Sequence, residues 1–186
     1  GMVEEQANEL RKLKEQSLER YVDLDRRLST GGTGGSGATA VAPVRVTGSG
    51  GNSGAAEQPG ESDAYRAAYA LVRGQQFDEA VTAFRGFLQS YPDGKYAANA
   101  HYWLGELYLV IQPVDPESSR QAFTLLLNQY PDNPKAPDAM FKLGKVYYMK
   151  GNREKAREYL DKVIRDYGNS NSSAVKLAQD FIDENY

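Results

Sequence analysis

His101 is the one side chain in this sequence that titrates near neutral pH, so an acid–base or nucleophilic triad would have to rest on it. It stands between Ala100 and Tyr102, and helical spacing brings it only Ala97, Ala98, Leu104 and Gly105. None of these can accept or relay a proton, so His101 reads as a packing residue. The carboxylate neighbours Asp78–Glu79 and Asp183–Glu184 are adjacent, and adjacent helical residues point in different directions, which rules out a dyad. VDPES at 114–118 lacks the alternating oxygen ligands and Gly of a calcium loop; it reads as a loop and a helix start, with Asp or Ser as cap. GTGGSG at 32–37 has no Lys-Ser/Thr ending and no preceding strand, so it does not cradle phosphate. Cysteine is absent, which removes thiol chemistry and disulfides. Trp103, with Tyr96, Tyr102 and Tyr108 nearby, offers an aromatic platform for sugar, although a Trp beside Leu104 more often fills a seam between helices. No catalysis, metal or cofactor is expected.

The net charge of −3 gives no reason to expect nucleic acid or an anionic membrane as partner. No apolar run approaches the roughly 18 residues that would span a bilayer, so no membrane insertion is expected. The chain opens GMVEEQ; the Gly before Met reads as an expression remnant, and a signal peptide is expected to have preceded it in the gene.

Three regions follow. Residues 1–29 read as a helix forming the end of a coiled coil, with Val3, Leu10, Ser17 and Leu24 at heptad position a and Ala7, Lys14, Tyr21 and Leu28 at d. Polar Ser17 and Lys14 in mid-seam lower stability while favouring one register. Residues 30–60 are Gly-rich, with Arg45 and Glu57 as the charges between Gly31 and Gly60, and are expected to be a flexible, disordered linker. Residues 61–186 form the folded domain.

That domain repeats itself. AHYWLGELYL at 100–109 returns as AMFKLGKVYY at 139–148, and FRGFLQSYPD at 84–93 returns as FTLLLNQYPD at 123–132 and LDKVIRDYGN at 160–169. Two helix types alternate: A helices near 62–74, 97–111 and 136–150, and B helices near 77–91, 117–130 and 153–167. Gly74 and Gly151 are expected to end A helices in the left-handed conformation, and Ser172 or Ser173 to cap a last helix at about 172–184.

These phrases resemble the tetratricopeptide repeat: Leu143, Gly144, Tyr147, Ala156 and Leu160 fit its pattern in the third unit, Leu104, Gly105, Tyr108, Ser119 and Phe123 in the second, and Ala67, Ala68, Leu71, Ala80, Phe84 and Pro92 in the first. The resemblance implies an all-α, right-handed α-solenoid of three repeats (about 61–95, 98–134 and 137–170) closed by the capping helix. With the YPD links, the Gly-rich linker and RYVDLDRRLS at 20–29, the whole chain resembles the YbgF/CpoB family of the Tol-Pal envelope system, the cell division coordinators. That family implies a periplasmic, non-enzymatic adaptor that binds TolA through its repeats. It also implies a homo-oligomer, a trimer, formed through the N-terminal helix, and a link to septal peptidoglycan synthesis through the bifunctional synthase and its lipoprotein activator. Alternative addresses are another envelope scaffold, like an outer-membrane protein assembly lipoprotein, or a structural oligomeriser.

On the repeat pattern, the A-helix positions facing a partner groove are Tyr65, Tyr69, Val72 and Arg73 in the first unit. Asn99, Tyr102, Glu106, Leu109 and Val110 take these positions in the second, and Asp138, Phe141, Lys145, Tyr148 and Met149 in the third. Rings at such positions make good anchors, and Arg73, Glu106 and Lys145 would set register by charge. The Lys/Asn clamp with which some relatives hold a terminal carboxylate is missing: Tyr65/Tyr69, Tyr102/Glu106 and Phe141/Lys145 stand in its places.

Overall fold

The computed structural model describes residues 56–170 and 172–186. The coiled-coil seam from Val3 to Leu28 and nearly all of the Gly-rich linker lie outside the described residues.

Every regular element among the described residues is an α-helix. In chain order they are α1 Glu61–Arg73, α2 Phe77–Ser90, α3 Ala97–Leu107, α4 Pro116–Gln129, α5 Ala136–Met149, α6 Arg153–Tyr167 and α7 Ser173–Asn185. Each helix from α2 onward packs on its predecessor, and α7 also reaches back to α5. The order is that of stacked hairpins, α1–α2, α3–α4 and α5–α6, closed by α7. A single hairpin cannot bury its apolar stripe alone, and stacking supplies the missing partner.

Small residues set the spacing within hairpins. Ala68, Gly105 and Gly144 are buried where the second helix of each hairpin crosses the first. A β-carbon on Gly105 would lie 2.5 Å from the Phe123 ring, and one on Gly144 3.1 Å from Leu160 Cγ. In the second hairpin Ser119 stands where the others carry Ala80 and Ala156, and its buried hydroxyl donates to the Gly105 carbonyl at 2.7 Å. A polar atom at the crossing is thereby satisfied.

Helix ends follow local chemistry. Asp115 caps α4 by accepting from Ser118 N at 2.9 Å, with Pro116 at the first position. Asn152 caps α6 through Lys155 N, and of the two serines proposed for α7, Ser172 is the cap, through Ala174 N.

Two boundaries differ from the sequence expectation. Helix α3 stops at Leu107, four residues early, because the chain tightens into i→i+3 bonds, Leu109 N to Glu106 O and Val110 N to Leu107 O, before Asp115 N closes on Tyr108 O. Gly74 is not left-handed: its φ is −78°, and the next residue, Gln75, takes φ 58°, as Gly151 takes φ 79° after α5. The bonds at the two ends match, Gln76 N to Leu71 O and Asn152 N to Tyr147 O, so Gln75 occupies the glycine position of the same helix stop. Gln75→Gly is therefore expected to stabilise the domain by about 0.5–1 kcal/mol, read as a higher urea midpoint.

The links between hairpins are fastened in a recurring way. The Tyr91 hydroxyl donates to the Pro59 carbonyl at 3.2 Å, and the Tyr130 hydroxyl donates to the Pro92 carbonyl at 3.0 Å. Each tyrosine of a YPD phrase thus ties its link to the preceding one. In the second link Asn133 Oδ1 accepts from Lys135 N at 2.9 Å. In the first, Gly94 holds the place of Asn133, and fully buried Glu61 supplies the acceptor instead, taking Tyr96 N at 2.8 Å and Gln58 N at 3.0 Å. A β-carbon on Gly94 would meet the Glu61 carboxylate at 2.3 Å, so Gly94 keeps the space that Glu61 fills. Residues assigned to the end of the linker are drawn in as well: Glu57 pairs with Lys95 at 3.5 Å.

Candidate partner-binding face

The first helices of the hairpins, α1, α3 and α5, carry the residues expected to face a partner, and the structure divides them. Tyr65, Val72, Tyr102 and Phe141 are buried. Tyr69, Asn99, Glu106, Leu109, Val110, Asp138, Lys145 and Tyr148 are half-buried, while Arg73 and Met149 are exposed.

The buried rings correct the groove expectation. Tyr102 is 0% exposed; its ring meets Phe123 edge-on at 5.8 Å, and Lys135 lies over it at 5.3 Å. Tyr65 packs edge-on against Phe84 and Phe87, both at 5.8 Å, and stacks on Tyr96 at 4.9 Å. Phe141 meets Phe181 of α7 edge-on at 6.4 Å. These rings fill the hairpin interiors and the seams with a link and with α7, because a large flat side chain gains more from burial than a polar neighbour does. They cannot touch a partner without the fold opening. Val72 is lost to the face for the same reason, and the early end of α3 puts Leu109 and Val110 in a turn.

Trp103 is not a sugar platform. It is 5% exposed, its Nε1 donates to the Tyr65 hydroxyl at 3.1 Å, and its ring lies 5.3 Å from that of Tyr69. His101 packs within the helix stack: its ring sits 6.2 Å from that of Tyr130, and burial pushes its imidazole below the usual value. Among the described residues no group of His, Asp or Glu is arranged to hold a metal ion, and no helix is long and apolar enough to cross a membrane.

What remains on the face is polar and aromatic. Glu106 of α3 accepts from Lys142 of α5 at 2.8 Å, an ion pair about one-fifth exposed on each side that ties the second hairpin to the third. Sequence pattern had offered Lys145 rather than Lys142 as the cation of this row. Lys145 instead rests against two rings, 5.8 Å from Phe141 and 5.7 Å from Phe181. Burial, and then the charge of Lys142, lower its pKa from the ordinary lysine value. Tyr148 packs edge-on against Phe181 at 5.2 Å and near Tyr186 at 6.2 Å, so α7 covers part of the third hairpin's share of the face. Phe181 and Tyr186 were not foreseen as members of this surface; the apolar stripe of the last helix was the available signal.

Stacked helical hairpins, small crossing residues and a capping helix define a repeat scaffold whose first helices present a surface. Two family models described as tetratricopeptide repeat match residues 65–133 and 138–170, and the chain belongs to the tetratricopeptide-repeat family. Among curated proteins it is similar to the Cell division coordinator CpoB of Pseudomonas putida, 37% identical over 59% of this chain and 46% of that protein. It is likewise similar to the Cell division coordinator CpoB of Escherichia coli K12, 34% identical over 58% of this chain and 44% of that protein. The kinship with the CpoB family that the sequence implied is thus shown, and the chain spans less than half the length of these relatives.

Proposed function

We propose that the chain is a non-enzymatic adaptor of the periplasm, working in the Tol-Pal system. Its repeats bind TolA and bring septal peptidoglycan synthesis into step with outer-membrane constriction during division. The observation that carries this reading is the stacking of α1, α3 and α5, which leaves Tyr69, Arg73, Asn99, Asp138, Lys145, Tyr148 and Met149 at or near the surface along one series of helices. Such a series suits a protein segment rather than a small molecule, since it offers scattered rings and charges instead of an enclosed cavity. The name these relatives bear, cell division coordinator, supports the cellular role. The bifunctional synthase and its lipoprotein activator are further partners on this reading, and the N-terminal helix assembles the chain into a trimer.

Calorimetric titration of the chain with the periplasmic part of TolA tests it. Saturable binding with one TolA per chain is expected. Absence of heat, together with absence of binding in a second assay such as pull-down, would remove TolA as the partner.

A further inference from the structure

The third hairpin carries an excess of positive charge that the rest of the chain does not share. Between Lys142 and Arg157 stand six cations, Lys142, Lys145, Lys150, Arg153, Lys155 and Arg157, against one carboxylate, Glu154, in a chain whose net charge is −3. Three of the six are matched from elsewhere: Lys142 by Glu106 at 2.8 Å, Lys150 by Glu117, and Arg157 by Asp161 at 3.0 Å. The other three have no carboxylate at ion-pairing distance among the described residues and sit over aromatic rings. Lys155 lies 5.1 Å above Tyr147, the ring that stacks on Tyr159 of α6. Lys145 and Arg153 rest on a different cluster, in which Tyr148 of α5 meets Phe181 of α7 and Tyr186 just after it.

Around that cluster Arg153 lies 4.9 Å from the Tyr148 centroid and donates to its hydroxyl at 2.6 Å. Lys145 lies over Phe181, the ring that Tyr148 meets, at 5.7 Å, and Arg157, paired with Asp161, lies 5.4 Å from the Tyr186 centroid. Glu106 and Glu184 bear on Lys145 electrostatically without pairing with it. Beside the cluster Met149 is 54% exposed and Tyr186 is 49% exposed. The result is a partly exposed aromatic cluster touched by two cations, each resting on its rings and each without a carboxylate at ion-pairing distance among the described residues. A cation resting on a ring keeps hydrogen-bonding capacity directed away from it, and its low mobility reduces the entropy lost on binding.

We propose that this α5–α7 face is the docking site for an acidic peptide segment of the partner, whose Asp or Glu side chains pair with Lys145 and Arg153 while the chain between them lies over Tyr148, Tyr186 and Met149. Charge complementarity decides the class of occupant: two unpaired cations beside exposed apolar surface favour carboxylates carried on a peptide. The inference deepens the adaptor reading and rests on it for the idea that a protein segment is bound.

The probe is a phage-displayed dodecapeptide library panned against the full chain, after which the enriched peptides are labelled and titrated by fluorescence anisotropy. Enriched sequences are expected to be rich in Asp and Glu, and their affinity to fall with rising ionic strength. Lys145→Gln with Arg153→Gln should weaken them about tenfold or more, while Lys155→Gln leaves them unchanged. Lys145→Arg with Arg153→Lys, which keeps both charges, should retain most of the affinity. Enrichment without acidic residues, no enrichment, or equal binding by the folded double variant would overturn the proposal. If the double variant loses helix content, the wild-type salt series decides, and affinity indifferent to salt overturns it. Self-association that depends on these two cations, with no acidic peptide enriched, would assign the face to a second copy and also overturn it. A parallel TolA titration separates the two readings: TolA binding without acidic preference sinks this inference alone, whereas acidic peptides bound without TolA sinks only TolA as the partner.

Discussion

Tyr102→Ala is expected to destabilise the repeat domain by about 3–5 kcal/mol, the usual cost of emptying a fully buried aromatic site. Its ring is 0% exposed and meets Phe123 and Trp103 edge-on at 5.8 and 6.1 Å, so truncation opens a cavity inside the second hairpin. A loss of this size is a large fraction of the stability of a small domain. Urea unfolding followed by circular dichroism checks it, with Met149→Ala as the comparison. Met149 is 54% exposed, and its truncation should move the midpoint little. Had Tyr102 lined an open groove, its loss would weaken partner binding and leave the midpoint alone. The two outcomes are opposite in kind, so one melt and one titration distinguish them.

Gly105→Ala is the second large effect, expected to destabilise by about 2 kcal/mol. The added methyl would stand 2.5 Å from the Phe123 ring, which is itself 0% exposed and has nowhere to swing. Moving α4 away would also stretch the Ser119 hydroxyl bond to the Gly105 carbonyl, now 2.7 Å. Helix propensity works the other way, since Ala is better than Gly in a helix by roughly 0.5–1 kcal/mol, and here crowding outweighs it. Gly86, in the middle of α2, provides the converse. A β-carbon there meets nothing within 4 Å, so Gly86→Ala should stabilise by roughly the propensity difference of 0.5–1 kcal/mol. Opposite signs for the same chemical change, measured by urea midpoint, would isolate packing from propensity.

Much of the fold could be read from the residues because repetition makes the helical period unambiguous. Leu104-Gly105 and Leu143-Gly144 mark the crossings, and the YPD phrases mark the links. The left-handed residue after α1 was misassigned because Gly74 and Gln75 are adjacent and composition favours the glycine; the matching hydrogen bonds after α5 reveal the register. Glu61 escaped notice as a link residue, yet comparing YPDG with YPDN would have suggested it. Where one link has Asn133 to hold an amide and the other has Gly94, a side chain from outside must do that work. The partner face was the least legible part. A repeat pattern says which positions point toward the next helix or the open side, but not which rings a capping helix will cover. Phe141 is buried against Phe181 and Tyr148 is half-buried beside it, contacts that depend on how α7 packs against α5.

The fastening of Glu57, Pro59 and Glu61 to Lys95, Tyr91 and Tyr96 has a mechanical consequence. Tension drawn along the segment that precedes α1 does not enter the domain through that helix alone. It is shared at once with the link between α2 and α3, across an ion pair, a hydroxyl bond and a buried carboxylate loaded together. Helix α1 is relieved of part of the load, much as a strap riveted at several points spares the edge of a plate. Peeling the first hairpin would require all three fastenings to give way within a few ångströms of extension. A load carried by the N-terminal segment therefore passes into the middle of the repeat stack, and the hairpin nearest the pull is protected from fraying first.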